Sequence, residues 1–491
     1  MPITSSSTPR LWLSLVFFIA LSTTTFGEPI NVLDHGADPT GATFSRDAIQ
    51  TALNIARTTQ QKVYIPAGTY VIEQHINAYT EIIGDGMGRT ILVFDNRFDV
   101  FSGNAKGMTF GSDGKKHVQV GISDATILIK GNNGGVCLNT ASQMSEYFHQ
   151  QIKYVFKNLS FYDWQSHKFG FNNYTTHAWS KYIALRSCQG VSMENIYIRG
   201  NYRPEQSEQS QFDSTGIYMD ARNPTGNSTA VLNPRLRGLY ITSCKYGIEL
   251  GARTFAFIQD VDIARSWVGI HNTNAAAIVP ELIYSEIFID NAAINAQKYG
   301  VHFQEITRVN FSNSFVNRHK DGDNNPYTGN WIGYYLQHVN KSMFTNLTAQ
   351  ARENTAVLNS KGMVLEECAN VAIANFVAGH FLDTAVELQD CHGLMLSTSL
   401  QNYNVTNPKG VVFMGSTQHS NVRISKLGSF NGLEYSFLDN TAERNNTVTS
   451  TTKNTVMPGL TITDIKERSS HPSFYRMVYI DKSTGELYTK D

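Results

Sequence analysis

The sequence predicts an all-β chain wound as a single-stranded parallel β-helix, with a capping helix at its N-terminal end. Three observations predict it. First, alternating apolar–polar runs recur: "GIYMD" at Gly216, "GIELG" at Gly247, "GIHNT" at Gly269, "GVHFQ" at Gly300, "GYYLQ" at Gly333, "GMVLE" at Gly362, "AVELQ" at Ala385 and "GVVFM" at Gly410, with starts 22 to 33 residues apart. Second, most are followed by another such run, as in "EIFIDN" from Glu286 and "RVNFSN" from Arg308. Third, helical spacing is confined to one stretch near the front. Strict alternation marks half-buried strands. A repeat in this range marks stacked units that cannot bury their apolar faces alone. An antiparallel sandwich would need two-residue hairpin signals, which are scarce here.

Taken in order, the chain opens with Arg10, the apolar run Leu11–Leu21 and the small and polar residues up to Gly27. These are the three parts of a secretory signal, so residues 1–27 are expected to be a cleaved leader and the protein to be secreted. The apolar run is shorter than the roughly 20 residues that span a bilayer, and no membrane association is expected. In "SRDAIQTALNIAR" (Ser45–Arg57), Ala48, Ile49, Ala52, Leu53 and Ala56 share one helical face, with Ser45 as N-cap. This helix, in a capping segment 28–60, would cover strand edges that otherwise invite aggregation. "KVYIPAGTYVI" (Lys62–Ile72) reads as the first strands, turned at Pro66–Gly68, and "GDGMGRT" (Gly84–Thr90) as a turn between coils, since no helix follows it. The coil is expected to fill 28–440. Beyond it, 441–491 reads as a linker ending in a short hairpin, "MVYIDKSTGELYTKD" (Met477–Asp491). Glycine opens most coils because corners need positive φ or close approach. Asn195, Asn310 and Asn313 are placed to tolerate left-handed geometry or to stack in ladders.

Composition excludes several function classes. The net charge is −1 over 491 residues, with no basic run, so nucleic-acid binding is not expected. Five cysteines are too few, and odd in number, for a disulfide framework. Cys188, Cys368 and Cys391 share one sequence setting, which suggests small thiols stacked in successive coils.

The front of the chain, Ile30–Ile72 followed by "IIGDGMGRTIL" (Ile82–Leu92), resembles the pectate-lyase-like superfamily, in the branch that groups rhamnogalacturonases, epimerase-like proteins and phage tailspikes. The resemblance implies a right-handed parallel β-helix acting on polysaccharide. Tailspike-like members are often trimers, so it also admits a homotrimer. The aspartate motifs of polygalacturonases, the Asp-Pro-His-Glu signature of alginate epimerases and the calcium-binding carboxylates of pectate lyases are not found. The site must therefore be read from the alternation.

In the first strand of each coil, the residue after the inward one projects outward. This gives a column of Tyr218, Glu249, His271, His302, Tyr335, Val364 and Glu387, and two residues further on a second of Asp220, Gly251, Thr273, Gln304, Gln337, Glu366 and Gln389. Adjacent coils lie about 4.8 Å apart, so column neighbours reach one sugar unit. A lyase acting on a uronate must neutralise the carboxylate, remove the C5 proton and protonate the leaving oxygen. His302 or His271 serves as base and Tyr335 as acid; Gln304, Gln337 or Arg253 holds the carboxylate. A hydrolase would instead use Asp220 and Glu249 as its carboxylate pair. A carbohydrate-binding or adhesion protein without activity is the third reading. Tyr218 and Trp331 are expected to contact substrate, and Trp164 and Trp179 bracket an aromatic insertion suited to a binding wall. No cofactor is expected; Ca2+ at "DGDNN" (Asp321–Asn325) is the alternative, although the rest of a calcium loop is missing. Sequons such as those at Asn227 and Asn346 could be glycosylated only in a eukaryotic host.

Overall fold

The computed structural model describes residues 27–95, 97, 105–111, 119–131, 134–140, 152–169, 177–202, 213–220, 230–251, 253–272, 285–318, 330–351, 360–379, 384–400, 409–427, 436–439, 447–450, 477–480 and 487–490. Residues 1–26 of the expected leader, the loop Asp321–Asn325, Asn227 and Thr273 lie outside them.

Alternation becomes a right-handed parallel β-helix whose coils pair in register with the next. One wall, here the first, is built from Lys181–Arg186, Thr215–Asp220, Tyr246–Leu250, the ends of Thr254–Asn272 and Glu286–Gln304, then Ile332–Gln337, Lys361–Glu366, Thr384–Gln389 and Lys409–Met414. The other strand of each coil bends once and supplies a second and a third wall. At the bend sits a column in left-handed conformation: Asp124, Asn158, Asn195, Gly238, Asp260, Asn291, Asn313, Asn346 and Asn375. Asparagine tolerates positive φ better than other side-chain-bearing residues. Here its amide also joins successive coils: Asn346 donates to Asn313 at 2.9 Å and Asn375 to Asn346 at 3.1 Å. Asn195 and Asn313 take these places, but Asn310 does not; it lies in a strand, one residue before inward Phe311. The sequon at Asn346 falls in this ladder, where its amide nitrogen is already committed.

The opening glycines owe their place to close approach rather than positive φ. A Cβ on Gly216 would stand 2.6 Å from the Gly247 carbonyl and 2.7 Å from Ile241; one on Gly247 would stand 2.5 Å from the Gly269 carbonyl and 2.7 Å from Ile263. Inside, Val301 and Phe303 from the first wall meet Val309 and Phe311 from the second, all buried. Phe303, Phe311, Tyr334 and Phe376 then run up the axis edge-to-face at 6.1–6.4 Å between centroids, as aromatic quadrupoles prefer. All five cysteines are buried free thiols. Cys368 and Cys391 occupy equivalent corners and donate to the carbonyls of Leu336 and Leu365.

The capping helix is Arg46–Thr59, with Ile49, Ala52, Leu53 and Ala56 buried against the end of the coil. Ser45 stands at its N-cap without a side-chain capping bond; its hydroxyl instead accepts from the Asp38 amide at 3.0 Å. Gly84–Thr90 is a turn between strands, as expected. At the far end, Thr447–Ser450 still pairs in parallel with the strand Asn421–Leu427, so the coil runs into the stretch read as linker. Met477–Ile480 pairs antiparallel with Leu487–Lys490.

The ladder yields a stability prediction. Asn346→Val puts a β-branched residue at positive φ and removes two amide bonds, so a loss of about 2 kcal/mol is expected in urea unfolding. Asn310→Val, in extended backbone, should be near neutral. Equal effects of the two would overturn the assignment of the bend.

Candidate functional site

The first wall carries one continuous column on its outer side. Register pairs join Tyr218 to Glu249, Glu249 to His271, His271 to His302, His302 to Tyr335, Tyr335 to Val364 and Val364 to Glu387. Gln304, Gln337, Glu366 and Gln389 form the neighbouring column. Each coil presents the same strand position at the same point of the wall, so a two-residue period fixes which side chains become neighbours.

At the centre, the His302 ring lies parallel to that of Tyr335, 4.9 Å between centroids and 6° between planes. Tyr299 leans on both, at 4.9 and 5.6 Å. One coil below, Tyr246 stacks on His271 at 4.4 Å. The Nε2 atoms of His271 and His302 are buried and find no hydrogen-bond partner among the described residues. Burial, then the neighbouring His302, lowers the His271 pKa to about 3. Burial, then Lys298, lowers that of His302 to about 4. Both rings are therefore neutral at pH 7. The Tyr335 hydroxyl donates to Glu366 at 2.5 Å, and burial together with that carboxylate pushes its pKa well up, so it stays protonated.

The other expected residues fare differently. Tyr218 and Asp220 are buried, 6% and 4% exposed, and the Tyr218 hydroxyl donates to Asp220. Outward direction did not make them open, because Lys181 lies over the Tyr218 ring at 3.0 Å. Glu249 accepts from Thr215 at 2.9 Å. Asp220 and Glu249 thus stand one coil and two residues apart, each held by a hydroxyl. Gln304 is fixed through its backbone by Asn272, whose side-chain oxygen accepts from the Gln304 backbone N–H at 2.6 Å. Arg253 lies in the corner after the wall, at φ 51°, not on its face. Trp331 is a correction: it is fully buried, with Nε1 donating to the Ala296 carbonyl at 3.2 Å, and is a core residue rather than a sugar contact. Trp179 is likewise buried. Among the described residues no group of three or more metal-binding side chains converges, and no helix is long and apolar enough to cross a membrane.

The alternation missed Tyr246, Tyr299 and Lys298. All precede an opening glycine, where parity breaks. A signal was present: "KYG" occurs twice, at Lys245–Gly247 and Lys298–Gly300. Lys361 was also missed; it pairs with both Glu387 oxygens at 2.6 and 2.7 Å.

A pH prediction follows from the buried imidazoles. Unfolded histidine titrates near 6.5, while the folded values lie at about 3 and about 4. Below 6.5 the unfolded chain binds more protons, so stability must fall as pH drops from 6.5 toward 4. Thermal midpoints should decline over that window, and a His271→Gln, His302→Gln double variant should decline less. An unchanged slope would show that these rings are not buried neutral.

Known structures of the same architecture match the chain. Tailspike protein 3 of bacteriophage CBA120 is 13% identical with a TM-score of 0.52, over 94% of this chain and 67% of that one. A tailspike protein mutant of E. coli bacteriophage HK620, solved in complex with pentasaccharide, is 12% identical with a TM-score of 0.52, over 86% and 78%. The A-module of mannuronan C-5 epimerase AlgE4 from Azotobacter vinelandii is 14% identical, with a TM-score of 0.45, over 85% and 99%. At such identities the likeness to the two tailspikes speaks to fold alone. No curated protein matches the chain. Residues 29–279 match the family described as rhamnogalacturonase A/epimerase, pectate lyase-like, and since that stretch is more than half of the sequence, the chain belongs to this family.

Proposed function

We propose that the protein cleaves a uronate-containing glycan by β-elimination on its first wall, within the broader class of carbohydrate-acting or carbohydrate-binding proteins that its family supports. The observation that carries the reading is the His302–Tyr335 stack. It sets a neutral imidazole against a phenol held in its protonated form. In this reading His302 takes the C5 proton, the C5–H electrons form the C4–C5 double bond, and the C4–O bond breaks. Tyr335 gives its proton to the leaving oxygen, exchanging its bond to Glu366 for one to the product. Lys298 offsets the charge of the substrate carboxylate, while the amides of Gln304 and Gln337, on the far side of His302 along their strands, contact a neighbouring sugar. His271, buried one coil below, is a positioning group. The leader expected at residues 1–27 would make the activity extracellular.

The hydrolase reading is weaker because both of its carboxylates are already engaged, Asp220 by the Tyr218 hydroxyl and Glu249 by that of Thr215, whereas such a pair must engage the scissile bond and a water. Incubation with a panel of acidic glycans separates the readings. Absorbance from an unsaturated product is expected, and His302→Ala should reduce it about 100-fold or more. Reducing ends without that absorbance would defeat the lyase reading. Binding without any product, unchanged in His302→Ala, would favour the non-catalytic one.

A further inference from the structure

We infer that the recess around Trp164 is a distal subsite for one anionic sugar of the glycan whose cleavage is assigned to the His302 wall; the inference rests on that glycan being acidic. The recess has a volume of about 240 Å3 and is lined by Arg97, Lys130, Trp164, Gln165, Lys168 and His177. This is smaller than pockets for drug-sized ligands and suits a single ring. It is built rather than accidental. Asp95, 1% exposed, accepts from Arg97 at 2.8 and 2.6 Å and faces the Lys130 ammonium at 3.3 Å. One buried carboxylate thus fixes two cations; with Lys168 the recess holds three cations against Asp95 and the buried Asp163 beside His177. Lys130 stands 5.7 Å from the Trp164 ring centroid, so a charge and a flat apolar surface occur together, as recognition of a sugar acid requires. The Nδ1 atom of His177 is buried and finds no partner among the described residues.

The recess also continues a pattern. It sits where the third wall turns into the first. Along that edge Lys181 lies over Tyr218 at 3.0 Å, Lys245 near Tyr246 at 5.5 Å, and Lys298 near Trp267 and Tyr299 at 5.4 and 5.2 Å. A lysine beside an aromatic ring therefore recurs at four heights. The coil of Lys153–Asp163, which leads into Trp164, lies four coils from that of His302, about 19 Å along the axis. A polyanion laid along this edge would reach both.

The same chemistry suits a carboxylated or a sulfated chain. Affinity electrophoresis in gels containing polygalacturonate, dextran sulfate or neutral dextran distinguishes them. The full-length protein should be retarded by polygalacturonate and not by dextran. Trp164→Ala and Lys168→Glu should each weaken retardation about tenfold at an unchanged thermal midpoint. Trigalacturonate, too short to span the interval, should compete equally with all three proteins. Retardation of the wild type by dextran sulfate but not polygalacturonate would keep the subsite and move its ligand to a sulfated glycan. If polygalacturonate retards the wild type and both variants alike, the subsite is wrong while the proposed function stands. If no gel retards the wild type, or neutral dextran does so equally, the acidic-glycan reading falls as well and takes the subsite with it.

Discussion

Every feature of this molecule depends on the strict register between one coil and the next. A parallel coil buries its apolar face only if its neighbours cover it, so register is enforced by the core itself. Slipping one residue would turn Val301 and Phe303 outward and His302 inward. Two further devices hold the register. The opening glycines let carbonyls of adjacent coils pack where any Cβ would collide, and the asparagine column joins bends by amide bonds. The first acts through sterics and the second through hydrogen bonding, and both recur along the coil rather than acting at one place.

The candidate site is a by-product of that regularity. Groups far apart in sequence, such as Glu249 and Tyr335, become members of one file because each takes the same position in its strand. The file is not chemically uniform. At one end Tyr218 and Asp220 close on each other, and at the other Glu387 is neutralised by Lys361. In the middle, His271 and His302 each keep a buried ring nitrogen with no hydrogen-bond partner among the described residues. This contrast singles out His271 and His302 from neighbours with equal claims on sequence grounds.

The fold was legible because its determinants are local and periodic: alternation for strands, a 3.6-residue stripe for the cap, glycine at the corners. The file from Glu249 to Glu387 was legible for the same reason. What was not legible is what covers each position. Alternation gives direction, and direction alone did not reveal that Lys181 closes over Tyr218. Nor did it apply outside strands, which is why Trp331 read as a loop platform although it plugs the core. The bend could have been found more fully: Ile289-Asp290-Asn291, Phe311-Ser312-Asn313, Phe344-Thr345-Asn346 and Ile373-Ala374-Asn375 share one pattern, an inward apolar residue two places before the asparagine. Asn310 breaks that pattern by parity.

The low basicity of the two histidines bears on how such a site would work. An imidazole with a pKa of about 4 is always available to accept a proton at neutral pH, yet has little drive to do so. Its basicity is suppressed by burial and by Lys298, and both causes respond to an anionic ligand. A carboxylate placed beside Lys298 would offset that cation and stabilise the imidazolium, since an opposite charge within a few ångströms favours the charged form. Basicity would then rise only when the correct charge is bound. A neutral sugar in the same place would exclude water, deepen the desolvation and weaken the base further. Selection for an acidic substrate would thus act on the strength of the base as well as on affinity, through the same residues.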